Sequence, residues 1–81
     1  MSITQEPFER VAILGLGLMG ASLGMALRAA GVARVVTGYD TGPGVIERAR
    51  ERGAIDIACA DVPQAVTEAD LIVLDENFDH M

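Results

Sequence analysis

A wholly apolar tetrapeptide, Val11-Ala12-Ile13-Leu14, runs straight into Gly15-Leu16-Gly17-Leu18-Met19-Gly20. An apolar residue at every position suits a strand buried on both faces, as in a parallel sheet. From Gly20 to Ala30 the pattern changes. Leu23, Ala26, Leu27 and Ala30 recur at helical spacing, and Gly31 is a natural stop. A strand that turns through glycines into a helix is the opening of a β-α-β unit. The rest of the chain continues that alternation.

Arg34 to Tyr39 reads as a second strand, centred on Val35 and Val36 and ended by Asp40. Gly42-Pro43 opens a second helix, with Pro43 at a first-turn position that needs no N–H donor. Val45, Ile46 and Ala49 form its apolar stripe and Gly53 closes it. Arg48, Arg50 and Arg52 interleave with Glu47 and Glu51, which reads as a solvated helix face. Ile55 to Cys59 is a weak third strand. Asp61 is placed to cap a short third helix running to about Ala69, with Gln64 three residues on as in a capping box. Leu71-Ile72-Val73-Leu74 is a fourth apolar strand. The order β-α-β-α-β-α-β implies an α/β fold with right-handed crossovers. The expected architecture is a Rossmann-type three-layer fold, with about four parallel strands in the order 3-2-1-4 and helices on both faces, truncated relative to a full doubly wound sheet.

The glycine string is G-x-G-x-x-G, and its context gives it meaning. Gly15 permits the tight turn out of the strand. Gly17 lacks a side chain, so a pyrophosphate can approach the backbone. Gly20 lets the helix pack close to the sheet. The helix N-terminus offers free N–H groups and a partial positive charge, and Leu18 and Met19 carry the best-placed donors. The side chains of Leu16, Leu18 and Met19 read as packing. Asp40 follows Gly20 by 20 residues at the end of the next strand. A carboxylate there accepts hydrogen bonds from the adenosine ribose hydroxyls and repels a 2′-phosphate. No Arg or Lys at Thr41, Gly42 or Pro43 offsets that repulsion. The expected ligand is a dinucleotide, NAD in preference to NADP, bound by Gly15, Gly17, Leu18, Met19, Gly20 and Asp40.

Composition removes other classes. Among 81 residues there are 12 acidic and 6 basic, all of the latter Arg, for a net charge of -6. Nucleic acid and anionic membranes both need a basic surface. Aromatic residues are only 4%, too few to stack bases. The uncharged run Val11 to Leu27 is shorter than the ~20 apolar residues of a span and is interrupted by glycines. One cysteine, Cys59, and one histidine, His80, make neither a disulfide nor a zinc site. Cys59 reads as a small buried apolar residue, and a reduced, cytoplasmic setting follows.

Taken together, VAILGLGLMGASLGMALRAAG and VVTGYD resemble the start of prephenate and arogenate dehydrogenases. The similarity continues through VIERARERGAID and EADLIVL, over roughly residues 10 to 74. The resemblance implies an NAD(P)-dependent oxidoreductase of tyrosine biosynthesis, which oxidatively decarboxylates prephenate or arogenate. Only the cofactor positions Gly15, Gly17, Gly20 and Asp40 carry over. The family's catalytic histidine and substrate-binding arginines belong to segments beyond the fourth strand, so no catalytic residue is assigned. His80 does not sit in a matching motif.

Residues 1–74 are therefore expected to be a partial dinucleotide-binding domain, inactive by itself. Residues 75–81 are expected to be an acidic tail outside the family's pattern, which usually continues with a small residue and a proline. Residues 1–74 hold nine acidic and six basic residues; the tail supplies the other three negative charges. A second reading is a ligand-free assembly module. The fourth strand is expected at a sheet edge, and Leu71 to Leu74 carries no charge to discourage pairing with a second copy. A homo-oligomer through that edge is the expected partner arrangement.

Overall fold

The computed structural model describes residues 8–75. His80 and the acidic tail from 76 onward lie outside the described residues. Seven elements alternate: β1 (Phe8–Leu14), α1 (Leu18–Ala30), β2 (Ala33–Tyr39), α2 (Val45–Glu51), β3 (Ile57–Ala58), α3 (Val62–Val66) and β4 (Leu71–Leu74). The strands form one sheet in the order β3-β2-β1-β4. Every pairing is parallel. This is the expected Rossmann-like α/β arrangement of truncated size.

β1 is the centre of the sheet. Val11 pairs with Val36 on one side and Leu71 on the other, and Leu14 pairs with Tyr39 and Leu74. Its apolar tetrapeptide is buried on both faces, as the sequence implies. Val11 and Ile13 face a cluster with Ala21 of α1, Ala49 of α2 and Val36. On the opposite face Leu14 packs with Cys59 and with Ala65 of α3. Thr37 is fully buried on β2 and donates its Oγ1 hydrogen to the Ala65 carbonyl at 2.8 Å, joining the sheet to α3.

Several local readings need correction. The face of α1 turned to the sheet is Gly20, Ala21 and Gly24, not the stripe through Leu23, Ala26 and Ala30. The helix lies too close for larger side chains: a Cβ at Gly24 would stand 2.2 Å from the Ala54 carbonyl oxygen. Leu23, Ala26 and Ala30 are exposed instead. α2 begins at Val45 with Gly44 as N-cap, so Pro43 precedes the helix and is not in its first turn. β3 is cut to Ile57–Ala58. α3 stops at Val66, well before Ala69, because Thr67 is extended and Glu68 takes a left-handed φ of 61°. Asp61 caps α3 by accepting from Gln64 N–H at 2.8 Å. The return bond of the expected capping box reaches Ala60 N–H and not Asp61 N–H.

Both longer helices end in the same hydrogen-bonded pattern. Gly31 N–H and Val32 N–H close α1 on Arg28 and Leu27 carbonyls; Gly53 and Ala54 close α2 on Arg50 and Ala49. These are Schellman caps, which satisfy the last free carbonyls and turn the chain back to the sheet.

Three aspartates tie neighbouring segments together through backbone N–H groups. Asp70 Oδ2 accepts from Glu9 and Arg10 at 2.7 and 3.0 Å. Asp56 Oδ2 accepts from Val36 at 2.7 Å, and its other oxygen pairs with Arg28 at 2.9 Å. Asp40, the third, lies in the candidate site. No helix among the described residues is long and apolar enough to cross a membrane.

Candidate functional site

β1 delivers the chain to the carboxyl end of the sheet, where the glycine turn begins. Gly15 has φ 102°, a conformation that side-chain-bearing residues rarely adopt. Its N–H donates to the Tyr39 carbonyl at 2.9 Å, so the turn starts one step beyond the β1–β2 ladder. Gly20 sits where the first turn of α1 crosses back over that bend. A Cβ there would stand 1.8 Å from the Gly15 carbonyl oxygen. The third glycine of the motif is therefore required by packing.

Gly17 differs. It is the N-cap of α1, with φ -70°, and a Cβ on it would meet nothing within 4 Å. Neither backbone strain nor crowding in the protein explains a glycine at that position. What its missing side chain leaves is open space directly against the start of the helix. The first intrahelical bond runs from Ala21 N–H to the Gly17 carbonyl at 2.9 Å. The N–H groups of Leu18, Met19 and Gly20 thus precede the helical ladder and have no intrahelical acceptor. The space and these donors fit a pyrophosphate group.

The side chains around the turn divide in a way the sequence does not reveal. Leu16 is buried at 3% exposure and anchors the turn in the core. Leu18 and Met19, read as packing residues, are 78% and 75% exposed. They flank the helix start and leave its N–H groups open.

Asp40 is half-buried just past β2. Its Oδ2 accepts the Leu16 N–H at 2.7 Å and its Oδ1 accepts the Gly42 N–H at 2.7 Å. The carboxylate thus links the two loops that rim the site. An ionised carboxylate has about four lone-pair sites, so two N–H bonds leave capacity for ribose hydroxyls. The structure places Gly15, Gly17, Leu18, Met19, Gly20 and Asp40 together at one end of the sheet.

Two further features border this end. A cavity of about 170 Å³ lies between the glycine turn and α2, lined by Leu16, Gly17 and Leu18 on one side and by Val45, Arg48 and Arg52 on the other. A larger one, about 470 Å³, lies between α1 and β4 and is lined by residues including Met19, Leu23, Val73, Leu74 and Asp75. Arg48, Arg50 and Arg52 are exposed, in keeping with the solvated face read from sequence, and the four-residue separation of Arg48 and Arg52 puts these two on the side of α2 that lines the first cavity.

Cys59 is 2% exposed on the other face of the sheet, away from this turn. Burial pushes its thiol above the ordinary value of 9.0. It is a core residue, as the sequence suggests. Among the described residues, no group of three or more His, Cys, Asp or Glu comes together to hold a metal ion.

Comparison with known proteins adds two findings. Residues 10–81 match the family described as NADP oxidoreductase coenzyme F420-dependent. The chain is also similar to cyclohexadienyl dehydrogenase of Zymomonas mobilis subsp. mobilis, with 40% identity over 67 residues. That alignment covers 83% of this chain and 23% of the relative, so the chain spans less than a quarter of the curated protein it matches.

Proposed function

We propose that this chain, which belongs to the NADP oxidoreductase coenzyme F420-dependent family, is the NAD-binding portion of a prephenate or arogenate dehydrogenase. The observation that carries this reading is Gly17: open space above an unpaired helix start, with Asp40 fixed beside it. The similarity to a cyclohexadienyl dehydrogenase supports the substrate class. In this reading the N–H groups of Leu18, Met19 and Gly20 hold the pyrophosphate, and Asp40 accepts the ribose hydroxyls. NAD, when bound, supplies the hydride acceptor. Asp40 favours NAD because its charge opposes a 2′-phosphate. The setting is cytoplasmic, in keeping with a single buried thiol.

In this reading the chain by itself is a binding unit that does not oxidise prephenate. The test is calorimetric titration of NAD into the chain and into Gly17→Val. The valine fits the unliganded fold, because its Cβ meets nothing and φ is ordinary. Binding that vanishes in the variant is expected. Equal binding by both proteins, or none by the parent, overturns the reading.

A second reading, assembly, draws on β4. Leu71, Ile72 and Leu74 are 36%, 49% and 62% exposed at the sheet edge. The occupant we propose is a second copy, its own β4 pairing against this one across a two-fold axis.

A further inference from the structure

Gly38 is buried inside β2, one residue before Tyr39 and two before Asp40. A glycine within a strand packs nothing and weakens the strand, unless another group must come close to the backbone there. The backbone at Gly38 is ordinary strand, so conformation does not demand a glycine. Space does. A Cβ at Gly38 would stand 2.7 Å from Ile55 Cγ2, and 2.9 and 3.0 Å from the two δ-methyls of Leu16. The Leu16 side chain therefore rests on the strand itself, in the place that a side chain at 38 would fill.

Of these two neighbours, Leu16 is the one that yields to crowding. Ile55 is 2% exposed, and its Cγ2 sits on a branched Cβ with little rotamer freedom. Leu16 presents both methyls to the same spot, so crowding there displaces the whole side chain. Its backbone is part of the glycine turn. Leu16 N–H is held by Asp40 Oδ2 at 2.7 Å, and Gly15 N–H by the Tyr39 carbonyl at 2.9 Å. Three consecutive residues of the second strand and its end thus grip the turn. Gly38 provides a slot, Tyr39 a carbonyl and Asp40 a carboxylate.

We infer that Gly38 is a positioning residue of the dinucleotide site. Its missing side chain seats Leu16, and through Leu16 it sets where the helix start and the Asp40 carboxylate stand. This rests on the dinucleotide reading above and adds to it a buried residue that acts only through its neighbour. A turn already held in its binding geometry loses less freedom when the ligand arrives, which raises affinity.

The test is calorimetric titration of NAD+ into the parent chain, Gly38→Ala and Gly38→Ala/Leu16→Val. Circular dichroism melts fix a temperature at which each is folded. Gly38→Ala is expected to bind roughly tenfold more weakly, the scale of an overpacked contact. Leu16→Val removes both δ-methyls from the slot, so the double variant should recover roughly threefold of that loss. Cys59→Ala is the control. It weakens the core on the opposite face of the sheet and should leave NAD+ affinity within about twofold. A merely structural Gly38 would behave like Cys59, with a lower melting temperature and affinity kept. If Gly38→Ala does not fold, Leu16→Val takes its place. With the slot left empty, that variant should bind roughly threefold more weakly when folded. Unchanged affinity in the folded variant, or no recovery in the double variant, overturns the inference and leaves the cofactor reading standing. No NAD+ binding by the parent chain overturns both.

Discussion

The carboxylate of Asp40 accepts the backbone N–H of Leu16 at 2.7 Å, across 24 residues of sequence. One bond thereby fixes the loop after β2 against the glycine turn after β1. Its second oxygen holds Gly42 N–H at the same distance. The residue read from sequence as a ribose ligand is also the brace that sets the width of the site. Asp40→Asn keeps one acceptor oxygen and turns an amide N–H₂ toward a donor. A stability loss of about 1–3 kcal/mol is expected, measured by urea denaturation. NAD affinity should fall as well. Unchanged stability would show that the 2.7 Å contacts carry no net free energy.

The motif glycines should separate under substitution to alanine. At Gly20 the added Cβ would stand 1.8 Å from a backbone oxygen that cannot rotate away. A loss of about 3 kcal/mol or more is expected, enough to unfold much of so small a domain. At Gly17 the added Cβ meets nothing and the fold should persist, with a cost of about 1 kcal/mol from the poorer N-cap. Far-ultraviolet circular dichroism melts of the two variants decide it. Equal destabilisation would contradict the division of labour between packing and ligand access.

Cys59 gives a pH dependence with a definite sign. Burial raises its folded-state pKa above the ordinary 9.0. Below that value the thiol is neutral in both states and contributes no slope. As pH rises through it, the unfolded chain releases the proton first, the folded chain holds more protons, and stability falls. The fall continues until the folded-state thiol also ionises. Denaturant midpoints between about pH 8 and 10 should show this decline, and Cys59→Ala should lack that component. Fast alkylation of native protein at neutral pH would argue against a buried thiol.

The β4 edge is expected to self-associate. Ile72 is half-exposed on a strand with no charged residue. Replacing it by Lys puts a charge on the edge, a common natural block to pairing. Light scattering at high concentration should find a dimer or larger species for the parent chain and a smaller species for Ile72→Lys. A parent chain that stays monomeric throughout would exclude this assembly.

The sheet order and the four strand positions were legible because β1 and β4 are uninterrupted apolar runs and the glycine string marks the first crossover. The face of α1 was not. A helix pressed onto a sheet at this distance selects small residues at Gly20, Ala21 and Gly24. Of the stripe read from periodicity, Leu27 packs against the core, whereas Leu23, Ala26 and Ala30 point away from it. The end of α3 escaped for another reason: nothing in Val66-Thr67-Glu68 marks a stop, yet Glu68 adopts a left-handed backbone. Acidic residues posed a third difficulty. Asp56 and Asp70 look like surface charge in sequence, whereas each binds backbone N–H groups of a neighbouring strand. Part of the negative balance is spent on the fold and says nothing of partners.

The central place of β1 also orders the protein in time. Its amides between Val11 and Leu14 lie between two ladders, so exposing them to solvent exchange requires β2 or β4 to part first. β3 is held by two residue pairs and β4 by four, and each can open while β1 and β2 stay joined. Slow deuterium uptake should therefore concentrate immediately before Gly15. The turn proposed to hold the phosphates then grows from the most persistent segment of the chain. The opposite rim, at Leu74 and Asp75, hangs from a strand that breathes on its own.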